Sequence, residues 1–163
     1  MKSWFLKGIM ASAIALPALS GAACAGGSDD LGCTNATLKG AYAFSVLNIA
    51  TPAEPSVVLG LTTFDGKGGL TQIDFPGNGG TDLGLTAFRT GQTGSYTVNP
   101  NCTGFMTINL GATVGVTENA FVISNGGRAV RAVIAAFTAP DGTPVTPLQS
   151  SIDLWAVASE QQN

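Results

Sequence analysis

The chain contains no histidine. That excludes a Ser-His-Asp triad, a Cys-His pair and every histidine-ligated metal site. Charge is scarce as well, with only 10% of the 163 residues ionic. No Lys/Arg cluster exists to neutralise phosphates, so a nucleic-acid partner is excluded. The shortage of Lys and Glu also removes the usual surface of a long-helix protein. Cysteines number three, too few for a thiolate zinc site once two of them pair. No Walker loop occurs, and the Gly clusters follow hairpin patterns rather than strand-to-helix turns, so they are not phosphate cradles.

Glycine and apolar residues are plentiful. The chain has 22 Gly and is 45% hydrophobic. Gly weakens helices and serves turns, while the apolar content is enough to bury a core.

Residues 1–25 read as a signal peptide. Lys2 and Lys7 supply a positive start, an apolar run covers 8–19, broken only by Ser12 and Pro17, and small residues crowd 20–25. The apolar run is shorter than the ~20 residues a membrane span needs. Ala23-Cys24-Ala25 fits a small-x-small cleavage site. The chain is therefore expected in the periplasm, on the outer membrane as a lipoprotein, or outside the cell. Loss of Lys2 and Lys7 leaves five basic residues against ten acidic ones, a net charge of −5. Cys24 has two fates: departure with the leader, or lipidation as the first residue of a lipoprotein, with 25–30 as a flexible tether. Gly21 stands where lipoprotein signals usually carry Leu.

Export leaves Cys33 and Cys102, an even pair in an oxidising compartment, and a disulfide is the natural reading. The alternative is two buried thiols. Cys102 lies in the stretch 94–110, where two β-type runs flank Asn99-Pro100-Asn101 as a hairpin.

Period-two alternation predicts strands at 38–50, 56–64, 70–75, 120–124, 128–137 and 151–158, with a weaker one at 83–90. Asp65-Gly66-Lys67-Gly68-Gly69 and Asn125-Gly126-Gly127 are hairpin turns. Residues 112–116 are a short strand or a loop, and one helical turn fits before Lys39. Eight or nine antiparallel strands predict an all-β eight-stranded up-and-down barrel, with a β-sandwich as the alternative. A barrel removes sheet edges that so few charges cannot guard. The domains are then the leader at 1–25, an N-terminal segment at 26–37, the barrel at 38–158 and a polar tail at 159–163.

Four patterns carry a resemblance: Gly40-Ala41-Tyr42; Phe64-Asp65-Gly66-Lys67-Gly68-Gly69; Gly94-Ser95-Tyr96-Thr97-Val98 followed by Cys102-Thr103-Gly104; and the aromatic strand from Phe121 to the Gly126-Gly127 turn. Together they resemble a group of exported bacterial proteins that is itself similar to the allene oxide cyclase barrels, a calycin-like fold. The resemblance spans 38–158 and implies an eight-stranded antiparallel barrel. Its motifs are turn and strand residues, and no catalytic motif of the plant cyclases can be placed here, so no activity follows from it.

Candidate site residues come from charges on apolar strands. Arg131 shares a face with Val133, Ala135 and Phe137, and Asp153 with Trp155 and Val157. Facing inward they would pair and make a polar spot in an apolar lumen; facing outward they are surface charges. Tyr42, Phe44, Tyr96 and Trp155 are the expected large lumen residues, with Asn109 and Glu118 near the mouth. Ala43, Ala129, Ala135 and Ala156 suggest an incompletely filled interior. Asp65, Asp74, Asp82 and Asp141 read as turn or surface carboxylates. No metal or cofactor is expected. The leading function is an exported barrel binding an apolar small molecule or an envelope partner. The alternatives are a cofactor-independent isomerase or cyclase acting inside the barrel, and a structural cell-surface protein.

Overall fold

The computed structural model describes residues 31–49, 55–77, 84–145 and 149–158. The expected leader at 1–25 with Cys24, Asp82, and the tail from 159 onward lie outside them. Eight antiparallel strands close into a meander barrel in sequence order. They are β1 (Lys39–Ile49), β2 (Pro55–Asp65), β3 (Gly69–Gly77), β4 (Arg89–Val98), β5 (Thr103–Asn109), β6 (Val116–Ser124), β7 (Ala129–Thr138) and β8 (Gln149–Ala156). Short 3-10 turns occupy Asn35–Thr37 and Asn125–Gly127. The barrel is the expected architecture, and the sandwich is set aside. The weaker strand at 83–90 does not form: residues 84–88 are irregular and only Arg89 and Thr90 join β4. Gly84 sits there at φ +66°, outside strand geometry.

Directly opposed residues in a sheet share a face, so one inward strand fixes its neighbours. Tyr42, Phe44 and Val46 are buried. Tyr42 opposes Thr62, which opposes Gln72, which opposes Gln92. Phe64, Leu70, Gly94, Ile108, Thr117 and Phe137 form another inward row. Glycines inside strands make room for large neighbours. A Cβ on Gly104 would lie 2.3 Å from the Phe121 ring, and one on Gly60 would lie 2.6 Å from the Phe44 ring and 2.1 Å from the Ile73 carbonyl oxygen.

One end of the barrel is sealed. Leu38 is fully buried beneath Tyr42, Phe64 and Tyr96, whose rings meet edge to face at 5.2 and 5.0 Å. The Tyr96 hydroxyl lies 3.0 Å from the carbonyl oxygens of both Asn35 and Leu38. Tyr42 donates to the Gly127 carbonyl. Burial raises both phenols above their ordinary pKa. The Cys33–Cys102 disulfide, with Cα atoms 5.0 Å apart, ties the N-terminal segment to the β4–β5 hairpin. Cys102 holds φ +63°, the position a hairpin of this kind usually gives to Gly. Among the described residues no helix is long and apolar enough to cross a membrane.

A candidate binding site in the open end of the barrel

The other end, the mouth, is where β3, β5 and β7 finish and β4, β6 and β8 begin. Below it a cavity of about 270 Å³ occupies the lumen. Its walls are mostly apolar, with Phe44, Val46, Met106, Ile108, Ile152 and Leu154 deep and Leu110, Val114 and Val145 toward the rim. Polar groups stand on two sides. On the β2–β4 side are Thr62, Gln72, Asp74 and Arg89; across the lumen on β6 are Thr117 and Asn119.

The polar side is built from a ladder and an ion pair. The Thr62 hydroxyl donates to Gln72 Oε1 at 2.9 Å, and Gln72 Nε2 donates to Gln92 Oε1 at 2.8 Å. Gln92 is 2% exposed, and its Nε2 has no hydrogen-bond partner among the described residues. Next along the wall, Arg89 grips Asp74 with two parallel bonds, Nε to Oδ1 at 2.7 Å and Nη2 to Oδ2 at 2.6 Å. The Asp74 side chain is 3% exposed and that of Arg89 26%. On β6, Asn119 Nδ2 donates to Thr117 Oγ1 at 3.1 Å and to the Met106 carbonyl at 3.4 Å.

Two β-bulges put residues into this site that strict alternation would leave outside. Gln72 opposes Gln92 and Asp74 opposes Arg89, so β4 carries one extra residue between them. Gly91 takes φ +79° there, and the parity of β4 reverses. Arg89 is thereby turned inward onto Asp74. In β7 the register shifts at Ala135, between the Asn119–Ile134 and Glu118–Ala136 pairs. Phe137 is turned to the lumen opposite Thr117, away from the face of Arg131 and Val133 that alternation assigns to it.

The sequence-derived candidates divide. Tyr42, Phe44 and Tyr96 are buried in the lumen, with Phe44 on the cavity wall. Arg131 and Asp153 do pair, at 2.9 Å, but on the outer wall, with side chains 68% and 39% exposed. Their inward placement is corrected, and register explains it. Asp153 opposes Ser45 while Leu154 opposes the buried Phe44. Trp155, expected inside, stands outside at 53% exposure. Asn109 and Glu118 lie near the mouth but on exposed outer positions, and Asn109 Oδ1 accepts from the Gly111 N–H. Ala43, Ala135 and Ala156 are also outside and leave no room within; of the four, Ala129 alone is buried. The small residues on the cavity wall are Thr62 and Thr117.

Asp74, expected as a surface carboxylate, is inside, and Arg89 was not anticipated at all. Gly91 was the available signal, since a lone Gly within a strand marks a bulge. Asp65 is a turn residue as expected. Its Oδ1 accepts from the N–H groups of Lys67, Gly68 and Gly69 at 2.6, 3.0 and 2.9 Å, which lowers its pKa. A shallow groove on the outer wall runs beside Phe105, Val122, Val133 and the Arg131–Asp153 pair.

Among the described residues no group of three His, Cys, Asp or Glu side chains could hold a metal ion. Comparison of the chain with protein-family models finds no match, and a search of curated proteins finds no relative.

Proposed function

We propose that this barrel binds one small, predominantly apolar molecule in its lumen and that binding, not catalysis, is its role. The observation that carries this reading is the 270 Å³ cavity with apolar walls and a few convergent polar groups. That is the usual form of a small-molecule site. At about 270 Å³ the cavity lies at the small end of the range of ligand pockets, which suits a small molecule. Among the described residues Asp74 and Arg89 are the titratable groups on the cavity wall, and they neutralise one another. The Thr62 hydroxyl on the same wall donates to Gln72 and not to Asp74, so neither charge is bonded to a nucleophile that it would activate.

The same reading places the protein outside the cytoplasm. Its support is the leader-like stretch at 1–25 and the Cys33–Cys102 bond. A kinship with the exported proteins similar to allene oxide cyclase barrels is part of the proposal, and the closed eight-stranded meander is compatible with it.

Native mass spectrometry of the protein purified from its own host tests the central claim. A retained adduct is expected, and Val58→Trp, which fills the cavity from its wall, should abolish it without lowering the melting temperature. An adduct that survives in the Trp variant overturns the lumen as the site.

A further inference from the structure

We infer that the ligand is electrically neutral, with an apolar body and a hydroxyl or carbonyl oxygen at one end. The inference rests on the lumen site proposed above and narrows its chemistry.

The argument starts from the ion pair. Asp74 and Arg89 contribute opposite charges to one wall of the cavity, so that wall carries no net charge. The Arg89 donors Nε and Nη2 are both engaged by Asp74. An anionic headgroup reaching this wall meets the Asp74 carboxylate and a guanidinium whose charge that carboxylate already neutralises. A cationic headgroup meets Arg89. Either ion surrenders its hydration and gains no unpaired counter-charge, the situation in which burying a charge is most unfavourable.

A neutral oxygen faces no such penalty. The Thr62 hydroxyl and the Gln72 amide stand on the cavity wall beside the ion pair. Thr62 gives its proton to Gln72 Oε1 and keeps lone pairs that accept. Gln72 Nε2 gives one hydrogen to Gln92 and retains a second. Across the lumen, Asn119 and Thr117 offer another neutral amide and hydroxyl. Among the described residues the site thus offers donors and acceptors of moderate strength and no unpaired charge. The remaining wall is aliphatic and aromatic, which suits a hydrocarbon chain or ring.

The test is isothermal titration of the full purified chain with four probes of equal chain length: 1-octanol, 2-octanone, octanoate and octylamine, at neutral pH. The two neutral compounds are expected to bind at least about 10-fold tighter than either ion, a difference of about 1.4 kcal/mol. Octanoate or octylamine binding as tightly as 1-octanol overturns the inference and leaves the lumen site standing. Binding by none of the four overturns the lumen site itself.

A charge switch gives an independent readout. Asp74→Asn leaves Arg89 as the single charge on the wall, so octanoate should gain at least about 10-fold relative to 1-octanol. Circular dichroism checks that the variant folds. If it does not, Arg89→Gln is read instead, where octylamine gains relative to 1-octanol. An unchanged ranking in the folded variant overturns the inference.

Discussion

Removing either partner of the Asp74–Arg89 pair should destabilise the barrel, but unequally. Arg89→Met leaves a carboxylate that is 3% exposed with both oxygens stripped of their donors. Breaking a fully buried pair costs about 3–5 kcal/mol. Arg89 is a quarter exposed, so water reaches part of the site, and the discounted figure is about 2–3 kcal/mol. For a barrel of this size that lowers the melting temperature by roughly 10 °C. Asp74→Leu leaves the guanidinium instead, and its long side chain can turn toward water at the mouth, so the loss is about 1–2 kcal/mol. The double variant Asp74→Leu/Arg89→Met replaces a polar pair with two apolar side chains in an apolar lumen. It should lie within about 1 kcal/mol of the wild type. The cycle therefore predicts a coupling energy of about 3–5 kcal/mol between residues fifteen positions apart. Urea unfolding followed by circular dichroism measures all four proteins. If the two single losses are equal, or if they simply add in the double variant, the buried pair has been misjudged and the bulge at Gly91 does not bring Arg89 to Asp74.

Reducing Cys33–Cys102, which closes a loop of 69 residues, should cost about 4 kcal/mol in the chain-entropy picture; intact mass with and without alkylation verifies the bond, and thermal melting in reductant measures its effect. Gly60→Val should destabilise by about 3 kcal/mol, because a Cβ there meets the Ile73 carbonyl and the Phe44 ring; a melting temperature equal to wild type would refute the close approach. Tyr96→Phe leaves the Asn35 and Leu38 carbonyls without that hydroxyl and should cost about 1–2 kcal/mol, with amide exchange accelerated in residues 31–38. Asp65 and Asp141 both have lowered pKa values because backbone N–H groups bond their carboxylates. Their contribution is therefore complete above the ordinary carboxylate range and fades as pH falls through the lowered values. The protection factors of the β2–β3 turn amides, which are exchange rates corrected for intrinsic pH dependence, should fall on acidification in the wild type and stay constant in Asp65→Ala.

The difference between what was legible and what was not follows the strand parity. Tyr42, Phe44 and Val46 alternate with small or exposed residues, and the inward face of β1 is readable from that pattern alone. The same holds for the turns at 65–69 and 125–127, where Gly supplies positive φ. In β7 and β8 alternation is uninformative, because Val130, Ala132, Ile152 and Leu154 are as apolar as Val133 and Trp155. There the face is decided by pairing: Leu154 must join Phe44 inside, so Asp153 and Arg131 go out. Trp155 follows them for the same reason.

The sequence by itself indicated the local grammar: most of the extended segments, where the chain turns, a disulfide between Cys33 and Cys102 as the natural reading, and a barrel in preference to a sandwich because few charges guard a sheet edge. Tertiary structure alone decided the site. A bulge adds one residue to one strand and reverses the facing of everything beyond it, and its location depends on how two strands register against each other. Arg89 and Phe137 enter the mouth for that reason. Asp74 faces inward by the regular alternation of β3, on the same face as Leu70 and Gln72; what alternation within a single strand does not encode is its partner, the guanidinium that the bulge at Gly91 delivers.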